Sequence, residues 1–251
     1  MLIVPGLDYI TLPRAPETWL IEPLIPAGGS CLLYGDPKIG KSFAAIQLAL
    51  AIQEGRDWLG FQTRTAGRVV YIQLDTPRSL WATRLEAIRV THPEVDQLMC
   101  ADRETLETFP YDVLNPAHAD LLTVALREIA PVAVIIDTIR ESHSGDEDKS
   151  TTMRNVVSTL AAITQPAAMI LVAHSRKAIG DNDPSLINDN RGSNYVTGRM
   201  DVIIRFSKSS AHIIGRAVEE TTIRIHQEKN GLWSRNKIDP MVGKVPAQSQ
   251  S

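Results

Sequence analysis

The chain has 251 residues, 43% of them hydrophobic and 22% charged, enough for a sizeable core in one large α/β domain. A formal net charge of −3 excludes a global basic field that would advertise nucleic acid, though a local basic groove is compatible with it. Only Cys31 and Cys100 occur, far from any His or Cys cluster. This argues against disulfides and thiolate metal sites. With no basic-then-apolar leader and no apolar run of membrane-spanning length, a cytoplasmic protein without membrane contact is expected.

Residues 1–28 contain Pro5, Pro13, Pro16, Pro23 and Pro26, a density that disfavours helix and central strand. They read as an extended N-terminal strap whose Trp19-Leu20-Ile21 packs on the core. A first strand is expected over 29–35, from the apolar run Cys31-Leu32-Leu33-Tyr34. Next comes Gly35-Asp36-Pro37-Lys38-Ile39-Gly40-Lys41-Ser42, which fits the P-loop spacing G-x-x-x-x-G-K-[ST]. It leads through Phe43 into an apolar helix over 41–54 that stops near Gly55. Strand, glycine loop and helix form the setting this motif needs. Glycines let successive N–H groups turn inward around a polyphosphate at the positive end of the helix. Lys41 would then reach the β- and γ-phosphates of ATP, and the Ser42 hydroxyl would bind Mg²⁺.

A second strand is expected over Arg68–Leu74, ending at Asp75, then a helix over 78–90 with Leu80, Trp81, Leu85 and Ile88 toward one side. The segment 91–115 reads as irregular, with a short strand near Thr105–Phe109. Ala117 to Ile129 reads as an amphipathic helix. The β-branched run Val132-Ala133-Val134-Ile135-Ile136-Asp137 suits a strand buried on both faces. Glu141 to Ser150 is a polar loop, Thr152 to Thr164 a helix, and Ala167 to Ala173 a buried strand ending at His174. Lys177 to Asn194 is a long polar loop of the kind that carries function. Val202–Phe206, His212–Arg216 and Thr222–Gln227 read as closing strands, with Glu219-Glu220 turning between the last two. Residues 29–240 would form one ATPase domain and 241–251 a flexible tail.

Alternating strands and helices imply a mostly parallel sheet flanked by helices, with antiparallel strands at its C-terminal edge. Ligands of such sheets bind at the carboxyl ends of the strands. The rule gathers the P-loop, Asp75, Asp137 and His174 on one edge. Asp137 suits the carboxylate that would hold Mg²⁺ directly or through water, helped by Ser42. Thr138 follows Asp137, so the water-orienting acid must come from elsewhere, and Asp75 is the candidate.

Taken together, these segments resemble the RecA-like P-loop ring ATPases, above all the RepA-type replicative helicases and related ATPases of phages and mobile elements. The resemblance covers roughly residues 17–233. Val70-Tyr71-Ile72-Gln73-Leu74-Asp75-Thr76-Pro77 resembles the segment whose terminal acid, usually Glu, is the catalytic base. Asp75 is one methylene shorter. Ile135–Arg140 with Gly145–Asp148 resembles the stretch around the metal-binding Asp. Leu171–Lys177 resembles the motif whose His senses the γ-phosphate and relays to a DNA-binding loop, a role this implies for His174. Arg191-Gly192-Ser193, leading to Asp201–Ile204, resembles the approach to the fifth strand. Ile225–Gly231 resembles a segment whose Lys and Arg reach the neighbouring subunit's nucleotide, with Gln227 in place of the Lys and Lys229 in place of the Arg.

The resemblance implies Mg²⁺-dependent ATP hydrolysis, single-stranded DNA held by loops 141–151 and 178–194, and a homo-oligomeric ring, a hexamer being favoured. It also implies a DNA helicase or translocase in replication. A RecA-fold ATPase that loads or remodels protein partners is the main rival. A P-loop kinase for a small metabolite is another, although no basic lid is evident. A third is a nucleotide-binding module that hydrolyses poorly. The Asn230-Gly231 turn is expected to project Lys229 away from its own P-loop, toward a neighbouring subunit.

Overall fold

The structure, a computed structural model, describes Gly6 and residues 18–106, 111–147, 149–174 and 194–236. Near the start, β1 (Trp19–Glu22) and β2 (Ile25–Pro26) pair antiparallel where an extended strap was expected. β3 (Ser30–Gly35) enters the P-loop, and α1 (Lys41–Glu54) leaves it. α1 stops at Gly55, at φ 67°. β4 (Gln62–Thr63) returns to pair with β1 and completes a small three-stranded sheet. Leu20 and Ile21 are fully buried in the core.

β5 (Val69–Gln73) leads to α2 (Arg78–Arg89). On α2, Trp81 and Ile88 are buried and Leu85 partly so, but Leu80 is 56% exposed, against expectation. Trp81 and Ile88 are two turns apart and set the buried face, while Leu80 sits about 100° round the helix from Trp81. β6 is Met99–Asp102, upstream of the strand expected near Thr105–Phe109. Residues 103–106 form a turn, and 107–110 lie outside the described residues. β6 takes the outer parallel position beside β5 despite its weak β-formers.

α3 (Pro116–Ile129) is capped by the Asn115 side chain. β7 (Ala133–Asp137), α4 (Ser150–Thr164) and β8 (Ala168–His174) follow within a residue or two of expectation. Residues 175–193, most of the long polar loop, lie outside the described residues. α5 (Asn194–Arg199), β9 (Val202–Phe206), β10 (Ser210–Gly215), β11 (Thr221–Gln227) and β12 (Trp233–Arg235) close the described chain.

Among the described residues the main sheet runs β12-β11-β10-β9-β3-β8-β7-β5-β6. From β9 to β6 neighbours are parallel, and from β9 to β12 antiparallel. This is the α/β architecture expected. Strand alternation makes two apolar layers. Cys31, Leu33, Tyr71 and Ile135 face α1, α2 and the N-terminal strands. Leu32, Tyr34, Ile72 and Ile136 face α3 and α4. β3 and β7 are not neighbours, since β8 lies between them. The register sets Gly35 beside His174 and Asp137 beside Gln73.

Candidate functional site

The P-loop turns between β3 and α1 on left-handed residues: Lys38 has φ 65° and Gly40 has φ 90°. The φ of Gly40 strains any residue with a Cβ, and a Cβ there would also stand 2.5 Å from the amide nitrogen at the end of the Gln227 side chain. Lys41, the first residue of α1, is only 4% exposed. Its ammonium donates to the carbonyls of Gly35 (2.8 Å) and Asp36 (2.7 Å) and lies 3.2 Å from His174 Nδ1. Burial pushes it down to about 8, against the raising charges of Asp137, Asp36 and Asp75.

Asp137 ends β7 at 1% exposure. One carboxylate oxygen accepts from the Tyr71 hydroxyl at 2.7 Å, and Ser42 also hydrogen-bonds to the group. Burial pushes the carboxyl above its ordinary value, the Tyr71 and Ser42 hydrogen bonds pull it back, and Asp75 adds repulsion. Tyr71 is wholly buried, so its phenol stays protonated and donates. A hydroxyl beside a buried carboxylate is a hard oxygen pair, the donor chemistry Mg²⁺ prefers. Ser42 and Asp137 therefore fit that ion.

Asp75 lies two residues beyond β5. Gln73, 1% exposed, accepts from the backbone N–H of Asp75 (2.7 Å) and of Thr76 (3.2 Å), which fixes this turn. The Asp75 carboxylate is 3.6 Å from His174 Nε2. Lys41, Ser42, Asp75, Asp137 and His174 thus line one cavity of about 540 Å³, together with Pro37, Lys38, Gly40 and Phe43 of the P-loop segment. Gly35, Asp36 and Ile39 shape the loop without lining the cavity.

Three further lining residues carried no readable signal for this place: Thr76, Arg84 and Gln227. Arg84, on α2, lies 5.9 Å above the Phe43 ring and donates to Thr76 at 3.3 Å. It belongs to a helix whose pattern reveals only its packed side. In the family the chain resembles, a lysine aimed at a neighbouring subunit stands where this chain has Gln227. Here it covers the chain's own P-loop, and its amide donates to Gly231 O at 2.7 Å.

The reason is β12. The Trp233 indole donates to Gly40 O at 3.1 Å, and its backbone exchanges two hydrogen bonds with the Gln47 amide, at 2.7 and 3.0 Å. Gly231, at φ 87°, packs so closely that a Cβ would meet the Phe43 ring at 2.5 Å. The 228–231 turn is therefore anchored beside its own P-loop. The turn thus sits beside the P-loop from which it was expected to project Lys229 away. Lys229 itself is exposed on that turn and does not line the cavity.

Of the expected DNA loops, 178–193 and residue 148 lie outside the described residues. In the other loop, Glu141 pairs with Arg103, Glu147 with Arg140 at 3.2 Å, and Asp146 with Lys149 at 3.9 Å. No helix among the described residues is long and apolar enough to cross a membrane.

Residues 7–180 match a family described as "AAA domain". The chain is similar in fold to a KaiC-like protein from the hyperthermophilic archaeon Pyrococcus horikoshii OT3, with a TM-score of 0.57 at 13% identity over 93% of this chain and 96% of that one. No curated protein gives a significant match.

Proposed function

The chain belongs to the AAA domain family and has a RecA-like P-loop ATPase fold, and from that premise we propose that it is a Mg²⁺-dependent ring motor of the RepA helicase type, spending ATP to move along or unwind single-stranded DNA. The observation that carries the reading is the convergence of Lys41, Ser42, Asp75, Asp137 and His174 on one cavity at the carboxyl edge of the sheet.

Lys41 and the loop amides hold the phosphates. Ser42 and Asp137 would hold Mg²⁺, which would screen the charge on the phosphates. Asp75 orients the attacking water and accepts its proton. His174, within reach of both Lys41 and Asp75, reports phosphate loss to the loop that follows β8. A water-orienting acid and a cation must act on the same phosphoryl group, so this clustering is what hydrolysis requires.

The test is the ATPase rate with and without single-stranded DNA, on material of measured mass. Stimulation by DNA in an assembly larger than one chain is the expected result. Equal rates with and without DNA would remove the DNA motor. One observation favours the rival protein-remodelling reading: beside the 141–151 loop, Arg103, Arg140 and Lys149 each have an acidic neighbour, which offsets the charge they offer to phosphates. Stimulation by a protein partner, with no response to DNA, would establish it.

A further inference from the structure

Asp137 is buried, and two hydroxyls hydrogen-bond to it: Ser42 from the P-loop helix and Tyr71 from β5. They differ in what a metal would do to them. Ser42 is itself a metal-holding group, so its hydroxyl oxygen would turn to the ion and its hydrogen bond to Asp137 would be given up. Tyr71 is wholly buried and pinned from behind by the Trp81 ring, 4.8 Å away between centroids. It cannot follow the ion. Its 2.7 Å hydrogen bond to Asp137 would therefore outlast loading.

The position of Tyr71 is set by the sheet. It pairs with Ile135 across the β5–β7 ladder, and Asp137 lies two residues further along on the same face. The phenol reaches diagonally to the carboxylate, and no backbone rearrangement is needed. A phenylalanine would fill the same space in the apolar layer. The hydroxyl therefore does something packing does not ask for: left unpartnered at this depth it would be costly, so it is kept for Asp137.

We propose that Tyr71 is a positioning residue for the metal-holding carboxylate, clamping Asp137 from the β5 side so that the group stays turned toward Ser42 when the divalent cation binds. This rests on the reading of Asp137 as a metal-holding group. Carboxylates that ligate metals are themselves held by outer hydrogen-bond partners, whose loss typically costs about 10- to 100-fold in metal affinity. Tyr71 fills that part here.

The experiment measures Mn²⁺ binding to the full chain in the presence of ADP, from the electron paramagnetic resonance signal of free Mn²⁺. Metal-free ADP affinity and the thermal midpoint are recorded alongside. Tyr71→Phe is expected to weaken Mn²⁺ about tenfold with metal-free ADP affinity unchanged. Trp81→Phe, which disturbs the packing behind the phenol but keeps its hydroxyl, is expected to lower the thermal midpoint and leave Mn²⁺ affinity alone. Asp137→Asn is expected to lose Mn²⁺ binding. If Tyr71→Phe binds Mn²⁺ like the wild type while Asp137→Asn does not, the positioning role is overturned and the metal site stands. If Asp137→Asn also binds normally, both fall. If Trp81→Phe weakens Mn²⁺ as much as Tyr71→Phe, the effect is packing and the proposal is overturned.

Discussion

His174 Nδ1 lies 3.2 Å from the ammonium of Lys41. An ammonium can only donate, so Nδ1 accepts and the ring proton sits on Nε2, the atom 3.6 Å from Asp75. Lysine, imidazole and carboxylate thus stand in a row across the cavity. Phosphate would break it at its first link by drawing Lys41 away.

Lys41→Ala should therefore abolish hydrolysis, by at least about a hundredfold, the usual cost of losing one charge-stabilising donor. The circular dichroism should be unchanged, since the side chain bonds only to loop carbonyls and His174. A variant that folds normally and keeps its turnover would remove the P-loop assignment.

Asp75→Asn should lose about 10²–10⁴ in rate while still binding nucleotide, the range expected for a missing catalytic base. Asp137→Ala should instead weaken Mg²⁺-dependent binding. Asparagine at 75 keeps the backbone bonds to Gln73, so the turn survives and the comparison is clean. If Asp75→Asn retains more than about a tenth of the rate, Glu141 or Glu147 becomes the acid to test.

The β12 latch predicts a remote effect on nucleotide binding. Trp233→Phe removes the hydrogen bond to Gly40 O and should cost about 1 kcal/mol of stability. The P-loop would then be less restrained, and KM for ATP should rise more than kcat falls. An unchanged KM in denaturant-matched variants would show that the latch is purely structural.

Arg78, the first residue of α2, grips Asp102 with two hydrogen bonds of 2.6 and 2.7 Å. That pair, with help from Thr105, holds the Asp102 carboxyl down at about 2. A lowered carboxylate pKa stabilises the fold above the unfolded value, near 3.8, and the gain fades as pH falls toward 2. Asp102→Asn should thus lower the urea midpoint at pH 7 and differ progressively less from wild type between about pH 4 and pH 2. A gap that stays constant with pH would mean that the mutation acts through packing.

Lys229 tests whether subunits complete one another's sites. Specific hydrolysis should rise with protein concentration, and Lys229→Ala should remove the rise without preventing assembly. Mixing it with Lys41→Ala should restore some activity, because an intact P-loop then meets an intact Lys229 across an interface. If mixed rings form and stay inactive, the residue does not act between subunits. Arg191, Arg199 or Arg205 would be the next to substitute.

What was legible in the sequence is what is local. The P-loop spacing, the apolar strands ending at Asp75, Asp137 and His174, and the helices between them follow from runs of a few residues. The carboxyl-edge rule then brought distant acids together without coordinates. Contacts that join residues far apart were not legible. Gln47 and Trp233 are separated by 186 positions, and nothing around either marks the other. β6 escaped because Met99-Cys100-Ala101-Asp102 lacks β-branched residues and forms a strand only because β5 offers an edge. The place of the 228–231 turn was not legible for a related reason: a turn pair fixes a local bend, not which end of the molecule it meets.

The chain carries four tryptophans, and one of them, Trp233, bonds directly to the carbonyl of the P-loop residue before Lys41. Indole emission responds to hydrogen bonding and to nearby charge. The protein thus has an optical reporter built into the loop that must wrap around phosphate, and filling the cavity should change its colour and intensity without any dye. Trp233, like Trp19, Trp58 and Trp81, does not itself line the cavity; its signal comes through the bond to Gly40 O, and Trp233→Phe separates it from that of Trp81, which stacks on Tyr71 behind Asp137.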